Sequence, residues 1–480
     1  MSYETALASM YALGHELANT PSHKFDLANV RILLTALGNP EKKFPGVLVA
    51  GTNGKGSTAA TLAAILRASG LKTGLYTSPH LVRINERIRV NDQPISDTEF
   101  AALHDLVEAG AGRLVLEGRL PWHPSFFEML TAIGFEYFAR GQVDMAVLEV
   151  GMGGRLDATN VIEPRVSVIT DISLDHQKYL GNTIAEIARE KAGIIRPEGV
   201  VVVLPQEPAA NDAIGRTIVD LEAKAVSAVP YVPPVSASHA PCPLVRVPAE
   251  ALTGKDSEAG SQGGTKTVRS SGGGGNGMPP CSSCYSLEVL GKEIMVESPL
   301  VGRHQLRNVA LAIAAAAVLN RQGLSEISPE SIARGIRETR WPGRFQVIPA
   351  KRGWPEFVFD VAHNPAGAWA LRSTLAAIYE HRRMIFVFGA MRDKAIREMA
   401  EILFPLAEHV IATPADNPRS ATTAEIRAAA RRVTRALEEV ADVASALDRA
   451  RTLAGPRDLV VITGSIYIVG EAMRLLGVHV

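Results

Sequence analysis

The apolar run Val47-Leu48-Val49-Ala50 leads straight into Gly51-Thr52-Asn53-Gly54-Lys55-Gly56-Ser57-Thr58, and the alanine-rich stretch Ala59 to Ala68 follows. A strand, a glycine-rich turn and a helix start, in that order, form the opening unit of a parallel α/β sheet. Such a turn collects backbone amides and the positive end of a helix dipole around one anion. Lys55 can reach the outer oxygens of a phosphate held there, and a hydroxyl is available to Mg²⁺. The string departs from G-x-x-x-x-G-K-[ST]: two residues separate Gly51 from Gly54, and Gly56 stands between Lys55 and Ser57. A ligand-free β-α turn is the bland alternative. A GTPase switch is another, although no N-K-x-D guanine-reading string occurs. Nucleotide binding is the reading adopted.

From Phe44 to about Pro205, β-branched runs alternate with segments of helical period. Strands are expected at Val47 to Ala50, Thr73 to Tyr76, Met145 to Val150, Val166 to Thr170 and Val200 to Leu204. Ser96 with Glu99, Ser125 with Glu128 and Thr183 with Glu186 have capping-box spacing, which marks three helix starts. A second α/β series begins near Leu300, with strands expected at Phe357 to Val361, Met384 to Phe388, His409 to Ala412 and Leu459 to Thr463. The chain is therefore expected to divide into a nucleotide-binding unit, 1–299, and a smaller Rossmann-like unit, 300–480. A length of 480 residues fits two units, since single cores stop growing at about 250–300 residues. Residues 230–285, rich in Pro, Gly and Ser, read as a flexible surface insertion. Its C-x-x-C, Cys281 and Cys284, would need two further zinc ligands, and only Cys242 and His239 lie nearby. A metal there is disfavoured.

Fifty basic residues balance fifty acidic ones, so the charge points to neither a nucleic-acid nor a membrane partner. Met1 to Leu17 lacks the pattern of a secretory signal. The alanine-dominated stretch Val309 to Leu319 falls short of the ~20 apolar residues that cross a bilayer. Three cysteines are too few for a disulfide framework and fit a reducing compartment. A cytoplasmic protein is expected.

Glu149 ends an apolar strand and precedes Gly151, Gly153 and Gly154, the place where open α/β sheets hold ligands. A carboxylate there can hold Mg²⁺ against triphosphate oxygens, or merely be solvated. By themselves, His176 is a loop histidine and Lys191 a helix-terminal lysine favoured by the dipole. Taken together, however, the chain resembles the Mur ligase superfamily and, within it, the dihydrofolate synthase/folylpolyglutamate synthase family. The resemblance rests on G-T-N-G-K-G-S at Gly51, T-S-P-H-L-V-R-I-N-E-R-I at Thr77, L-E-V-G-M-G-G-R-L-D-A-T-N at Leu148 and D-H at Asp175. It continues with E-K-A-G-I at Glu190, H-Q-L-R-N at His304, W-P-G-R at Trp341 and D-V-A-H-N-P at Asp360. It covers nearly the whole chain outside the insertion.

This resemblance implies that Gly51 to Ser57, Asn308, Arg344 and Asp360 grip ATP, and that Ser57, Ser78, Glu149 and His176 bind Mg²⁺. It implies that Lys191 is carbamylated and positions a second Mg²⁺, and that Lys55, Lys191 and His363 form the catalytic set. Ser125, Phe126, Phe127 and Glu128, with Leu156, Asp157 and Ala158, match segments that hold a pterin. Arg83, Arg87 and Arg89 match a mobile loop over the site, and Arg83 is assigned to the substrate. The activity implied is an ATP-dependent joining of dihydropteroate or a folate to L-glutamate through an acyl-phosphate, by a monomer. Two rivals stand beside it. A cell-wall amino-acid ligase of the same superfamily is disfavoured because only about 45 residues precede the phosphate loop. A nucleotide-driven switch would release phosphate without needing both co-substrates.

Overall fold

The computed structural model describes residues 1–14, 26–234, 283–351, 354–433 and 437–478. Eight strands form the first sheet: β1 (Gly46–Ala50), β2 (Thr73–Tyr76), β3 (Ile88–Val90), β4 (Gln93–Pro94), β5 (Met145–Glu149), β6 (Pro164–Ile169), β7 (Val200–Val203) and β8 (Lys224–Ser227). Their order is β4-β3-β2-β5-β1-β6-β7-β8. All neighbouring pairs from β2 to β8 are parallel, and the short β3 and β4 add antiparallel at one edge. Central strands β1 and β5 are buried along their whole length, which is why they read as unbroken apolar runs. The expected strands of this unit are all present. The outer strands β3 and β4 at one side and β8 at the other are additions, too short or too polar to announce themselves.

One face of this sheet is covered by the helices Tyr3–Ala12, Leu27–Ala36, Asp97–Leu116 and Phe126–Gly141. The other packs on Lys55–Ala68 and on Arg303–Arg321 and Pro329–Arg337, together with the hairpin β9 (Ser283–Val289) and β10 (Lys292–Ser298). The expected division at residue 300 is thus displaced. Helix Arg303–Arg321 is buried on nearly every side because it is sandwiched in the first lobe, and its alanines allow that close packing. The first lobe continues to about residue 340.

The second sheet contains β11 (Gln346–Ile348), β12 (Glu356–Phe359), β13 (Met384–Phe388), β14 (His409–Ala412), β15 (Leu437–Glu439) and β16 (Leu459–Thr463), in the order β11-β12-β16-β13-β14-β15. It is parallel except for β11, and helices cover both faces. The three capping boxes read from the sequence are formed. Most of the expected insertion, with Cys281, Cys242 and His239, lies outside the described residues. Cys284 and Tyr285, counted with that insertion, belong to β9 instead. Among the described residues, no helix is long and apolar enough to cross a membrane.

Candidate active site

The C-terminal ends of β1, β5 and β6 open on one side of the first sheet, and the loops after β12, β13 and β16 of the second sheet face them. Between the lobes lies a cavity of about 850 Å³, within the usual range for a ligand site. Gly51 to Ser57, Ser78, Ser125 to Glu128, Glu149, Leu156 to Ala158, His176, Lys191, Asn308, Arg344, Asp360 and His363 all line it. Arg83 is not part of that lining.

The phosphate loop is braced from below. The Thr52 and Asn53 amides donate to the Asp171 carbonyl, and the Thr52 hydroxyl donates to the Ser173 carbonyl. Gly54 sits at φ +89° as the N-cap of Lys55–Ala68, and a Cβ there would lie 2.1 Å from Asn308 Oδ1. Only glycine meets both the left-handed backbone and that close approach. Asn308 is itself fixed by donating to Gln305 Oε1 at 2.8 Å.

Beside the loop, the buried Glu149 accepts the Ser78 amide at 3.2 Å. Burial pushes its carboxyl pKa up, and Lys55, the Ser78 amide, Arg344 and Arg87 oppose that shift. The hydroxyl oxygens of Ser57 and Ser78 are buried and have no hydrogen-bond partner among the described residues. His176 takes φ +50°, and burial, followed by the Lys394 ammonium, pushes its imidazole down to about 3. The ring is therefore neutral, the form that ligates metals.

Lys191 is buried and donates to the Gly51 carbonyl at 2.8 Å. Burial, and then the neighbouring Lys55 charge, push its pKa down to about 7. Across the cavity, Asp360 accepts the amides of Phe345 and Ala362 at 2.9 Å each. Arg344 is partly buried and lies in the fields of Asp360 and Glu149; desolvation lowers its pKa and both carboxylates resist.

The pterin-type segments are also in place. Phe126 stacks on Tyr11 with ring centroids 6.0 Å apart, and Phe127 meets Tyr76 edge-on at 6.1 Å. Glu128 accepts from Ser125 as the partner in its capping box. Asp157 is committed to its own turn: it accepts from Met152 N, Thr159 N and the Thr159 hydroxyl. Arg83 donates through Nη2 to both carboxylate oxygens of Asp97, at 2.7 and 2.9 Å, and half of its side chain faces solvent. The expected mobile loop is a helical turn running into β3, with Arg87 and Arg89 buried. Arg83 thus stands in an ion pair beside the cavity and outside its lining.

Comparison with known proteins agrees with this geometry. Residues 343–466 match the family described as Mur ligase, glutamate ligase domain. The dihydrofolate synthase/folylpolyglutamate synthase of Bacillus subtilis is 33% identical over 451 residues, covering 94% of each chain. The chain belongs to the dihydrofolate synthase/folylpolyglutamate synthase family. The Mycobacterium tuberculosis folylpolyglutamate synthase complexed with ADP superposes with a TM-score of 0.80 at 30% identity, covering 99% of this chain and 98% of the other. The Escherichia coli FolC in complex with DHPP and ADP gives 0.76 at 28% identity, covering 99% and 98%.

Within this folylpolyglutamate synthase fold, the sequence reading missed Lys394 and the contacts by which the lobes join. Lys394 Nζ lies 2.6 Å from Asp175 Oδ1, both side chains nearly buried. Asn364 donates to Asn53 Oδ1 at 2.9 Å, and His363 Nε2 lies 3.6 Å from Asp175 Oδ2. Burial opposes ionisation of Asp175, yet His363 and Lys394 hold its carboxyl well below the usual range. The one available signal was position, since Lys394 follows a strand end in a parallel sheet.

Among the described residues, no three His, Cys, Asp or Glu side chains converge as a metal cage. A magnesium ion does not require one, because it binds through one or two carboxylates with substrate phosphates and water. One buried carboxylate, two unpartnered hydroxyls and a neutral imidazole around a phosphate loop fit that donor set.

Proposed function

We propose that this chain is an ATP-dependent ligase that joins the carboxylate of dihydropteroate or a folate to the amine of L-glutamate. The observation that carries this reading is the meeting, in one cavity, of a phosphate loop, the buried Glu149 with its two unpartnered hydroxyls, and a wall with the Phe126–Phe127 pair that suits a flat heterocycle. Gly51 to Ser57 hold the triphosphate, and Asn308, Arg344 and Asp360 close over the nucleotide. Ser57, Ser78, Glu149 and His176 would hold Mg²⁺, which neutralises charge on the phosphate oxygens when bound.

The pterin-linked carboxylate attacks the γ-phosphorus in line and ADP leaves, giving an acyl-phosphate. The glutamate amine then attacks the acyl carbon, loses a proton and expels phosphate. Lys55 and Arg344 face the charge that develops on the transferring group, and positioning supplies most of the rate. His363 is the residue assigned to take the amine proton. Closure between the lobes keeps water from the acyl-phosphate.

Lys191 belongs to this reading as a carbamylated residue serving a second Mg²⁺. Only a neutral amine captures CO₂, and a pKa of about 7 leaves much of Lys191 neutral near physiological pH. Gentle mass spectrometry should find a labile gain of one CO₂ on the peptide carrying Lys191. A monomer in the cytoplasm completes the proposal, supported by low cysteine content and small diffusible substrates.

The test measures ADP and phosphate release with each pterin acid, with and without L-glutamate. Release of phosphate should require ATP, Mg²⁺ and both co-substrates. Phosphate release from ATP alone at the full rate would instead mark a nucleotide-driven switch.

A further inference from the structure

Leu81 stands three residues after Ser78, in a first-lobe loop, yet it packs into the core of the second lobe. Its carbonyl oxygen lies only 1.9 Å from where a Cβ on Gly470 would be, and its methyls lie 3.1 and 3.3 Å from the corresponding point on Gly343. Gly470 falls inside the helix Ile466–Leu475, where glycine costs about 1 kcal/mol relative to alanine. A buried glycine in that place is explained by the backbone of Leu81 pressing on the helix. The loop cannot absorb this contact by flexing, because Glu86 accepts the amides of both Leu81 and Val82, at 2.8 and 2.9 Å. Leu81 is therefore held to the turn Ile84–Arg87, and only two residues separate it from Ser78, whose amide touches Glu149.

A second attachment lies in the cavity lining. There Lys394 of the second lobe holds Asp175, the residue before His176. These two attachments, among the contacts that join the lobes, each neighbour one of the residues assigned above to the cation.

We infer that Leu81 and Asp175 are positioning residues of a two-point clamp, through which docking of the second lobe sets Ser78 and His176 around the cation. The clamp links occupancy of the second-lobe ATP contacts to cation affinity at the first-lobe ligands, and the linkage acts in both directions. This inference rests on the ligase reading above and adds to it the residues that couple the lobes.

Gly470→Ala tests it without altering any residue of the cavity wall. Alanine favours the helix, so the variant should fold, while its Cβ cannot coexist with the Leu81 carbonyl. Mn²⁺ binding to the ADP-loaded protein, followed by electron paramagnetic resonance, should weaken about tenfold. Binding of ADP without metal should stay within about twofold, and kcat should fall with little change in the KM for glutamate. Leu81→Ala should weaken Mn²⁺ binding in the same direction, and Leu81→Met should restore most of it, which a general loss of stability would not reproduce. Wild-type Mn²⁺ affinity in both Gly470→Ala and Leu81→Ala overturns the clamp. A wild-type protein that neither binds Mn²⁺ with ADP nor ligates glutamate overturns the ligase reading itself.

Discussion

In the first lobe the site is built on strand ends: β1 gives the phosphate loop, β5 gives Glu149, and the loop after β6 gives Asp171, Asp175 and His176. The second lobe contributes side chains from three loops, Arg344, Asp360 with His363, and Lys394; Lys394 and His363 reach across to Asp175, and Asp360 is held by amides of its own lobe. The first arrangement is local and rigid, as its hydrogen bonds within the loop indicate. The second works only when the lobes meet. Rigid backbone donors suit a triphosphate that must be held throughout, whereas long cationic side chains suit charge that appears during the reaction. This difference predicts how substitutions should divide.

The largest loss is expected for Glu149→Ala, which should lower kcat by about three orders of magnitude while metal-free ADP binding persists. Activity within tenfold of wild type would remove Glu149 from the cation set. Arg344→Met should cost about a hundredfold in kcat/KM, with ADP affinity changing far less than turnover. Equal losses in both would mean that the second lobe merely binds nucleotide, and the contrast between the lobes would collapse.

Lys191 sharpens the comparison through pH. Its pKa of about 7 in the folded protein lies below the ordinary 10.5. Between those values the unfolded chain holds a proton that the folded chain lacks, so stability rises with pH across the window. Below about pH 7 the folded protein must bury a charged ammonium, and that penalty is complete. Lys191→Met removes it, so in CO₂-free buffer, where the amine stays uncarbamylated, its Tm gain over wild type should be greatest near about pH 6 and shrink toward about pH 10. A gain that does not vary with pH, measured by thermal unfolding, would contradict the buried-cation account.

Smaller effects are expected at the margin of the pterin wall. Asp157→Ala should cost about 1 kcal/mol in denaturant unfolding, because Asp157 caps the turn Ala158–Val161. Arg83→Ala should leave turnover within about twofold, since an exposed ion pair contributes at most about 1 kcal/mol. A large rise in the KM for the pterin acid would return Arg83 to the substrate site.

The local half of the site could be read from the chain. Strand, glycine turn and helix lie consecutively at Val47 to Ala68, and Glu149 ends an apolar run, so neighbouring residues carry the whole signal. The joining half could not. Lys394 meets Asp175 across more than two hundred residues, and nothing around Met391-Arg392-Asp393-Lys394 marks its partner. The boundary near Leu300 misled for a related reason. A helix buried on all sides reads as the start of a new core, whereas Arg303–Arg321 completes an old one. The motif around Arg83 fixes the loop and not the direction of the side chain, so its pairing with Asp97 was not legible either.

The return of the chain to its first sheet also bears on synthesis. Val47, Val49, Val168 and Val202 share a core with Val309 to Leu319, which emerge from the ribosome long after Ser227 has ended the sheet. At about 5–20 residues per second, that valine surface waits on the order of seconds for its cover. A nascent chain halted before Arg303 should therefore engage hydrophobic-surface chaperones more strongly than one halted after Arg337.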